Sequence, residues 1–202
     1  MSRDEERIAV YYDRLVEQYG HDPRAVDASS RESLGVRHAV LSELADMSGK
    51  SVLEVGCGFG DLGAFIRERY ERVTYRGIDL SPRMVQEGRQ VNPGLLLEVA
   101  NVLDLPGAEE YDFVVAQGIF YLLREDPEER MREIVTRMFA LASEAIAFTA
   151  ISAWAAERNP DEFYVEPSVA LELGHSLTKS VVLRHDYHPG DLTLYLYKRE
   201  WR

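Results

Sequence analysis

The 202-residue sequence predicts an α/β protein built on a doubly wound, mostly parallel sheet. Three observations carry this expectation. Short apolar runs alternate with helical segments from residue 51 to 151. A glycine-rich turn joins the first of these runs to the helix after it. The last two β-rich runs are separated by only four residues, His188-Pro189-Gly190-Asp191. Four residues cannot hold a crossover helix, so that pair must be an antiparallel hairpin closing a sheet that is otherwise parallel.

The elements follow in order. Residues 4–19 read as a helix with Ile8, Leu15 and Tyr19 on one side, and 20–30 are turn-rich (Gly20, Asp22, Pro23, Ser29, Ser30). A second helix is expected over 31–47, stopped by Gly49. Strands are then expected at 51–55, 73–78, 95–99, 111–116 and 145–151, with helices at 61–71, from Ser81-Pro82 onward, and at 127–142. Ser81 is a good N-cap, and proline suits the first helical turn. The hairpin strands are 180–187 and 192–198. Repeats, low-complexity tracts and long linkers are absent from the sequence.

Composition narrows the function. Thirty-five Asp and Glu against 23 Lys and Arg leave a net charge of −12 with no basic run, so a phosphate backbone is an unfavourable partner. Nucleic acid is not expected as a substrate. No apolar stretch reaches the roughly 18 to 20 residues of a membrane span, and the charged start Met1–Arg7 lacks the apolar core of a signal peptide. The single cysteine, Cys57, excludes an internal disulfide, and no Cys/His spacing suggests a metal. A cytoplasmic protein fits these features.

The chemistry centres on Glu54-Val55-Gly56-Cys57-Gly58-Phe59-Gly60-Asp61, between an expected strand and an expected helix. Glycines allow a sharp turn and close approach of a ligand. The stretch Gly58-Phe59-Gly60-Asp61-Leu62-Gly63 also fits the dinucleotide pattern G-x-G-x-x-G. Against that reading, the glycine series starts earlier at Gly56, Glu54 precedes it, and Asp61 puts negative charge where a pyrophosphate would sit. Glycines serving only a tight turn are the third reading.

At Glu54–Gly60 the sequence resembles the class I S-adenosylmethionine (SAM) dependent methyltransferases, whose hallmark is E/D-x-G-x-G-x-G after the first strand. Gly77-Ile78-Asp79-Leu80-Ser81-Pro82-Arg83-Met84 resembles the family's second motif, and Tyr111–Val115 its fourth strand. Gly58–Leu62, Gly118-Ile119-Phe120 and His185-Asp186-Tyr187 are further similar to a short bacterial, small-molecule subgroup. The resemblance implies a seven-stranded sheet of order 3-2-1-4-5-7-6 with strand 7 antiparallel. It divides the chain into an N-terminal helical lid or cap, 1–49, and a SAM-binding domain, 50–202. It also implies SAM as cofactor, S-adenosylhomocysteine as product and in-line methyl transfer, or, as an alternative, a SAM-binding sensor without turnover.

Residue roles follow from that resemblance. Asp79 would receive both ribose hydroxyls, since an ionised carboxylate is acceptor-only. Gly56, Cys57, Gly58 and Gly60 would lie along the methionine moiety, with Glu54 holding the loop or the cofactor's ammonium group. Cys57 reads as a small buried hydrophobe. Leu80, Met84, Val102 and Gln117 complete the cofactor set. Asn101 stands where the family often has an aspartate facing the adenine amino group, with Asp104 as the alternative. The transfer needs alignment and exclusion of water more than it needs a base, so no catalytic residue stands out. The candidates for catalysis are His185, Tyr121 and Tyr12. Those for the acceptor or lid are Tyr11, Tyr12, Tyr19, Arg37, Phe120, Tyr121 and Tyr164. Position 116–120 reads Ala-Gln-Gly-Ile-Phe rather than Asn/Asp-Pro-Pro-Tyr/Phe, which disfavours amino-methylation of DNA bases or of protein glutamine.

Overall fold

A computed structural model describes residues 2–107 and 110–199. Two helices come first: α1 (Arg3–Tyr19) and α2 (Arg31–Ser42), linked by a 3-10 turn at Pro23–Val26. Then follow β1 (Ser51–Val55), α3 (Asp61–Arg69), β2 (Thr74–Asp79), α4 (Pro82–Val91), β3 (Leu96–Val99), β4 (Tyr111–Ala116), α5 (Pro127–Leu141), β5 (Ala142–Ile151), α6 (Pro167–Leu177), β6 (Ser180–Arg184) and β7 (Asp191–Tyr197).

The sheet order is β3-β2-β1-β4-β5-β7-β6, with β7 antiparallel to both β5 and β6 and the remaining pairs parallel. Both the expected order and the antiparallel strand are observed. One face of the sheet packs Leu53, Val114, Ile146 and Leu194 against Val135 and Met138 of α5 and Leu173 of α6. The other packs Val52, Phe113, Val115 and Tyr195 against Leu41 of α2 and Leu62 and Ile66 of α3. The alternation of inward residues along each strand supplies both cores at once.

Several boundaries differ from expectation. Helix α2 ends at Ser42, whose Oγ donates to Ala39 O (2.8 Å) and whose carbonyl accepts Tyr70 Oη (2.7 Å), so the chain turns before residue 47. Strand β5 begins directly after α5, with Ala142 in register opposite Tyr111. The hairpin turn is longer than the four residues read from the sequence, because β6 stops at Arg184 and β7 starts at Asp191. Helix α6 escaped the sequence reading. Its apolar segment follows a proline, and Gly174 sits where a Cβ would come within 2.7 Å of Leu196, seating the helix tightly on β7.

Helix α1 starts with a capping box. Ser2 Oγ accepts the Glu5 N–H, and Glu5 Oε2 accepts the Ser2 N–H at 2.6 Å. Its Val16 packs with Phe59 and Met84, next to the glycine loop.

Candidate cofactor and acceptor site

Strand β1 is flanked by β2 on one side and β4 on the other, and the chain order reverses across the β1–β4 pair. Ligands in open α/β sheets bind beyond the carboxyl ends of strands at such a reversal. Here the residues just past those ends are Gly56 after β1, Asp79 closing β2 and Gln117 after β4.

Gly56, Gly58 and Gly60 all adopt left-handed backbone conformations, with φ of 72°, 52° and 82°. A Cβ on Gly56 would also come 2.3 Å from Ile119 Cγ2. The loop spends its own N–H groups internally. Gly56 and Cys57 donate to Ile78 O (2.8 and 3.0 Å), Gly60 to Cys57 O (2.8 Å), and Gly58 to Asp79 Oδ2 (2.8 Å). The loop therefore works by shaping a surface, not as a nest of free donors for a pyrophosphate. Gly63, the last position of the dinucleotide pattern, is required for another reason: a Cβ there would meet the Tyr75 ring at 2.4 Å.

Asp79 accepts Gly58 N–H on one oxygen and Ser81 N–H (2.8 Å) on the other, leaving a lone pair on each for a diol. Its carboxyl is raised above the usual range, first by burial, against the lowering of its backbone hydrogen bonds. Glu54 is buried and hydrogen-bonded to Tyr75 Oη. Burial first, then Asp61 and Asp79, push its carboxyl up to about 8, against the lowering of the Tyr75 bond. Burial raises the Cys57 thiol well above its ordinary value, which makes it an inert hydrophobe.

These residues line a cavity of about 330 Å³. Of the cofactor candidates, Glu54, Gly56, Cys57, Gly58, Asp79, Leu80, Met84, Asn101, Val102 and Gln117 line it, while Gly60 caps α3 behind it. Asn101 Oδ1 accepts Leu103 N–H (3.0 Å) and its Nδ2 donates to Glu5 Oε1 (2.7 Å), whereas Asp104 is exposed and outside the lining. Among the described residues, Gln117 Oε1 is the buried side-chain polar atom with no hydrogen-bond partner.

The acceptor candidates separate. Tyr12, Tyr121 and Arg37 line the cavity; Tyr11, Tyr19, Phe120, Tyr164 and His185 do not. Tyr19 lies under the Arg24 guanidinium, 4.6 Å from its ring centroid. Phe120 is a core residue edge-on to Phe148. Tyr164 Oη donates to Glu162 (2.7 Å). His185 lies just past β6 rather than on a strand and pairs with Ser152 Oγ (2.7 Å), stacked near the exposed Trp154. Arg37 is committed to the buried Asp191 through Nε (2.6 Å).

The sequence reading missed the residue that gathers the tyrosines. Asp27 Oδ2 accepts Tyr11 Oη and Tyr121 Oη, both at 2.6 Å, and Tyr121 Oη is 2.7 Å from Tyr12 Oη. Asp27 lines the cavity and holds a left-handed φ of 51°, which aspartate tolerates better than most residues. Burial first raises the Tyr12 and Tyr121 hydroxyls far above their ordinary value, so both stay protonated. Also missed were Glu5, ion-paired to Arg130 in the lining, and His38, whose imidazole burial pushes down to about 4. Of these only Glu5 had a sequence signal, the Ser2-x-x-Glu5 capping box. Among the described residues no grouping of His, Cys, Asp and Glu could hold a metal ion, and no helix is long and apolar enough to cross a membrane.

Comparison with known proteins agrees with this geometry. Residues 52–139 match a family model described as a methyltransferase domain. A protein of Mycobacterium tuberculosis named as a candidate methyltransferase is 27% identical over 161 residues, 73% of this chain and 93% of that one. A phthiotriol/phenolphthiotriol dimycocerosates methyltransferase of Mycobacterium leprae is 29% identical over 107 residues, 48% of this chain and 39% of that one. The chain thus spans about two-fifths of the length of that second relative. Among solved structures, the SAM-bound magnesium protoporphyrin IX methyltransferase of Synechocystis superposes with a TM-score of 0.72 at 15% identity, covering 98% of this chain and 99% of that one. The N-methyltransferase NodS of Bradyrhizobium japonicum, with S-adenosylhomocysteine, gives 0.69 at 20% identity, covering 94% and 100%. Its glycine loop, its strand order and the match over 52–139 thus give this chain a methyltransferase-domain match and the fold of SAM-bound methyltransferases.

Proposed function

We propose that the cavity beyond β1, β2 and β4 seats SAM and a small-molecule acceptor side by side, with α1 as its cover. The observation that carries this reading is the convergence of Asp79, which keeps lone pairs for a diol, with the orphaned Gln117 Oε1 in one enclosed cavity. The residues present fit the cofactor. Asp79 takes the ribose, Leu80 and Met84 pack beside it, and Val102 and Asn101 face the adenine. Gly56, Cys57 and Gly58 form the floor for the methionine moiety, and Gln117 Oε1 accepts from its ammonium group or from the acceptor.

SAM supplies an electrophilic methyl group on a cationic sulfur. The protein's own work is alignment and exclusion of water. Helix α1 lines the cavity through Ile8, Tyr12, Asp4 and Glu5, which supports a cap formed by α1, whereas α2 packs into the sheet core through Leu41. The mycobacterial relatives' names refer to low-molecular-weight acceptors, and the net charge of −12 supports the same class over nucleic acid. The lone buried cysteine and the acidic charge support a cytoplasmic setting. Calorimetric titration with SAM and S-adenosylhomocysteine tests the seat. Binding of both, weakened in Asp79→Asn, supports it, and absence of binding to the wild-type protein overturns it.

A further inference from the structure

Two carboxylates in the cavity wall stand apart from the cofactor seat. Asp27, after the 3-10 turn, and Glu162, between β5 and α6, both line the cavity, and both act electrostatically on Tyr11. Among the described residues neither has an ion-pair partner. Asp27 receives only tyrosine hydroxyls, and Glu162 receives Tyr164 Oη and Asn159 Nδ2 (3.3 Å). By contrast, the two arginines in the lining are already neutralised, Arg37 by Asp191 and Arg130 by Glu5. The His38 imidazole, held near 4 by burial, is uncharged at neutral pH. The acceptor end of the cavity is therefore a negative, hydroxyl-rimmed recess with no cation left to meet an anionic ligand.

A carboxylate or phosphate acceptor would enter this recess against two uncompensated charges. A protonated amine would meet Asp27 Oδ1, which has no partner, with aromatic surface from Tyr12 and Tyr121 around it. Gln117 Oε1, buried and without a donor, offers a second acceptor in the same cavity.

On these grounds we infer that the methyl acceptor is an amine, received as its ammonium form by Asp27. Asp27 holds the ammonium at the rim; one N–H proton is lost to solvent water, and the freed lone pair forms the N–CH3 bond as the methyl–sulfur bond breaks and S-adenosylhomocysteine leaves. Asp27 is exposed at the rim, which gives that water access to the bound nitrogen. The tyrosine hydroxyls hold the carboxylate in place as donors, since burial keeps Tyr12 and Tyr121 protonated. This inference rests on the cofactor reading above.

The test uses the full-length protein saturated with S-adenosylhomocysteine and three probes of similar shape: 2-phenylethylamine, 2-phenylethanol and 3-phenylpropionate. Affinities are measured by titration calorimetry. The amine should bind at least about tenfold more tightly than the other two. Asp27→Asn preserves an acceptor for the tyrosines and suits a left-handed backbone. It should abolish that preference while leaving S-adenosylhomocysteine affinity unchanged. Equal or stronger binding of the alcohol or the carboxylate overturns the inference, as does an amine preference that survives in Asp27→Asn. Loss of S-adenosylhomocysteine binding in that variant also overturns it, by assigning Asp27 to the cofactor. Failure of the wild-type protein to bind S-adenosylhomocysteine strikes the cofactor seat first, and this inference falls with it.

Discussion

The hydroxyl of Tyr75 on β2 donates a hydrogen bond to the buried carboxyl group of Glu54 at the end of β1. Tyr75 reaches that position across Gly63 and Gly77, where any Cβ would come within 2.8 Å of its ring or hydroxyl. The most acidic-looking residue of the glycine motif is therefore a carboxyl whose ionisation the fold resists.

This has a signed consequence for pH. The Glu54 carboxyl is raised from its ordinary 4.5 to about 8 in the folded chain, chiefly by burial. A raised carboxyl contributes stability below its unfolded value and loses it as pH climbs through the folded one. Relative to Glu54→Gln, the wild-type protein should lose stability on the order of 4 kcal/mol between pH 4.5 and the region above 8. Urea denaturation of both proteins across that range measures the difference; a flat difference would show that Glu54 ionises normally.

Asp79 does two jobs, and substitution should separate them. Asp79→Ala removes the supports of Gly58 and Ser81 and, on the proposed cofactor seat, the ribose acceptor. It should weaken SAM binding by about 1.5–3 kcal/mol and also lower stability by about 1–3 kcal/mol. Asp79→Asn keeps an acceptor for one backbone donor and should recover part of the stability but little of the affinity. Calorimetry with SAM, paired with thermal melting, checks both arms. An unchanged affinity in Asp79→Ala rules out the ribose role.

Asn101 and Asp104 can be ranked directly. Asn101 lies in the cavity wall between Leu103 and Glu5, while Asp104 is exposed outside it. Asn101→Ala should cost SAM affinity on the order of 1 kcal/mol, and Asp104→Ala within about 0.5 kcal/mol of none. The opposite ranking would move the adenine away from the β3 end of the cavity.

Helix α1 is tied down by specific polar contacts. Asp4 accepts the N–H groups of Arg124 and Glu125 (2.8 and 2.9 Å), and Asp13 accepts Ser81 Oγ (2.6 Å) and Arg83 N–H (3.1 Å). A cap held this way must release several bonds to admit a ligand, so S-adenosylhomocysteine should slow amide exchange in 4–19. Removal of 1–19 should leave a folded but less stable sheet with weakened cofactor binding, because Ile8 and Val16 are lost from the packing. Tyr12→Phe, which breaks the Tyr12–Tyr121 bond, should reduce turnover more than melting temperature. Equal exchange in the presence and absence of ligand, with unfolding of the truncated chain, would make α1 scaffold only.

The fold was legible because its signals are local: alternating strands, Ser81-Pro82 at a helix start, and a hairpin too short for a crossover. Helix α6 was hidden because it is short, has no side-chain cap, and carries Leu171 on its exposed face beside Ser168, Glu172 and His175, which blurs the periodicity. In the cavity lining, Glu54 was singled out by the glycine motif, Asp79 by its spacing from it, and Asn101 by its place before Leu105-Pro106. Asp27 was not, since its role comes from two hydroxyls 16 and 94 residues away in sequence. His185 and Phe120 attracted notice as residue types, and only their surroundings, Ser152 and Phe148, assign them to packing.

The capping of the cavity by α1 also bears on how the chain acquires its structure. Asp4 and Glu5 of α1 bond to partners 96 to 125 positions later in the sequence. Contacts of such long sequence separation form late, after the loop-closure entropy between them has been met. Helix α1 can nucleate early from its own capping box and dock on α4 through Val16 and Asp13, but the contacts of Asp4 and Glu5 wait for the segment 124–130. The part of the cavity wall built by Asp4 and Glu5 therefore closes late, and a chain arrested before residue 124 would lack its anchors.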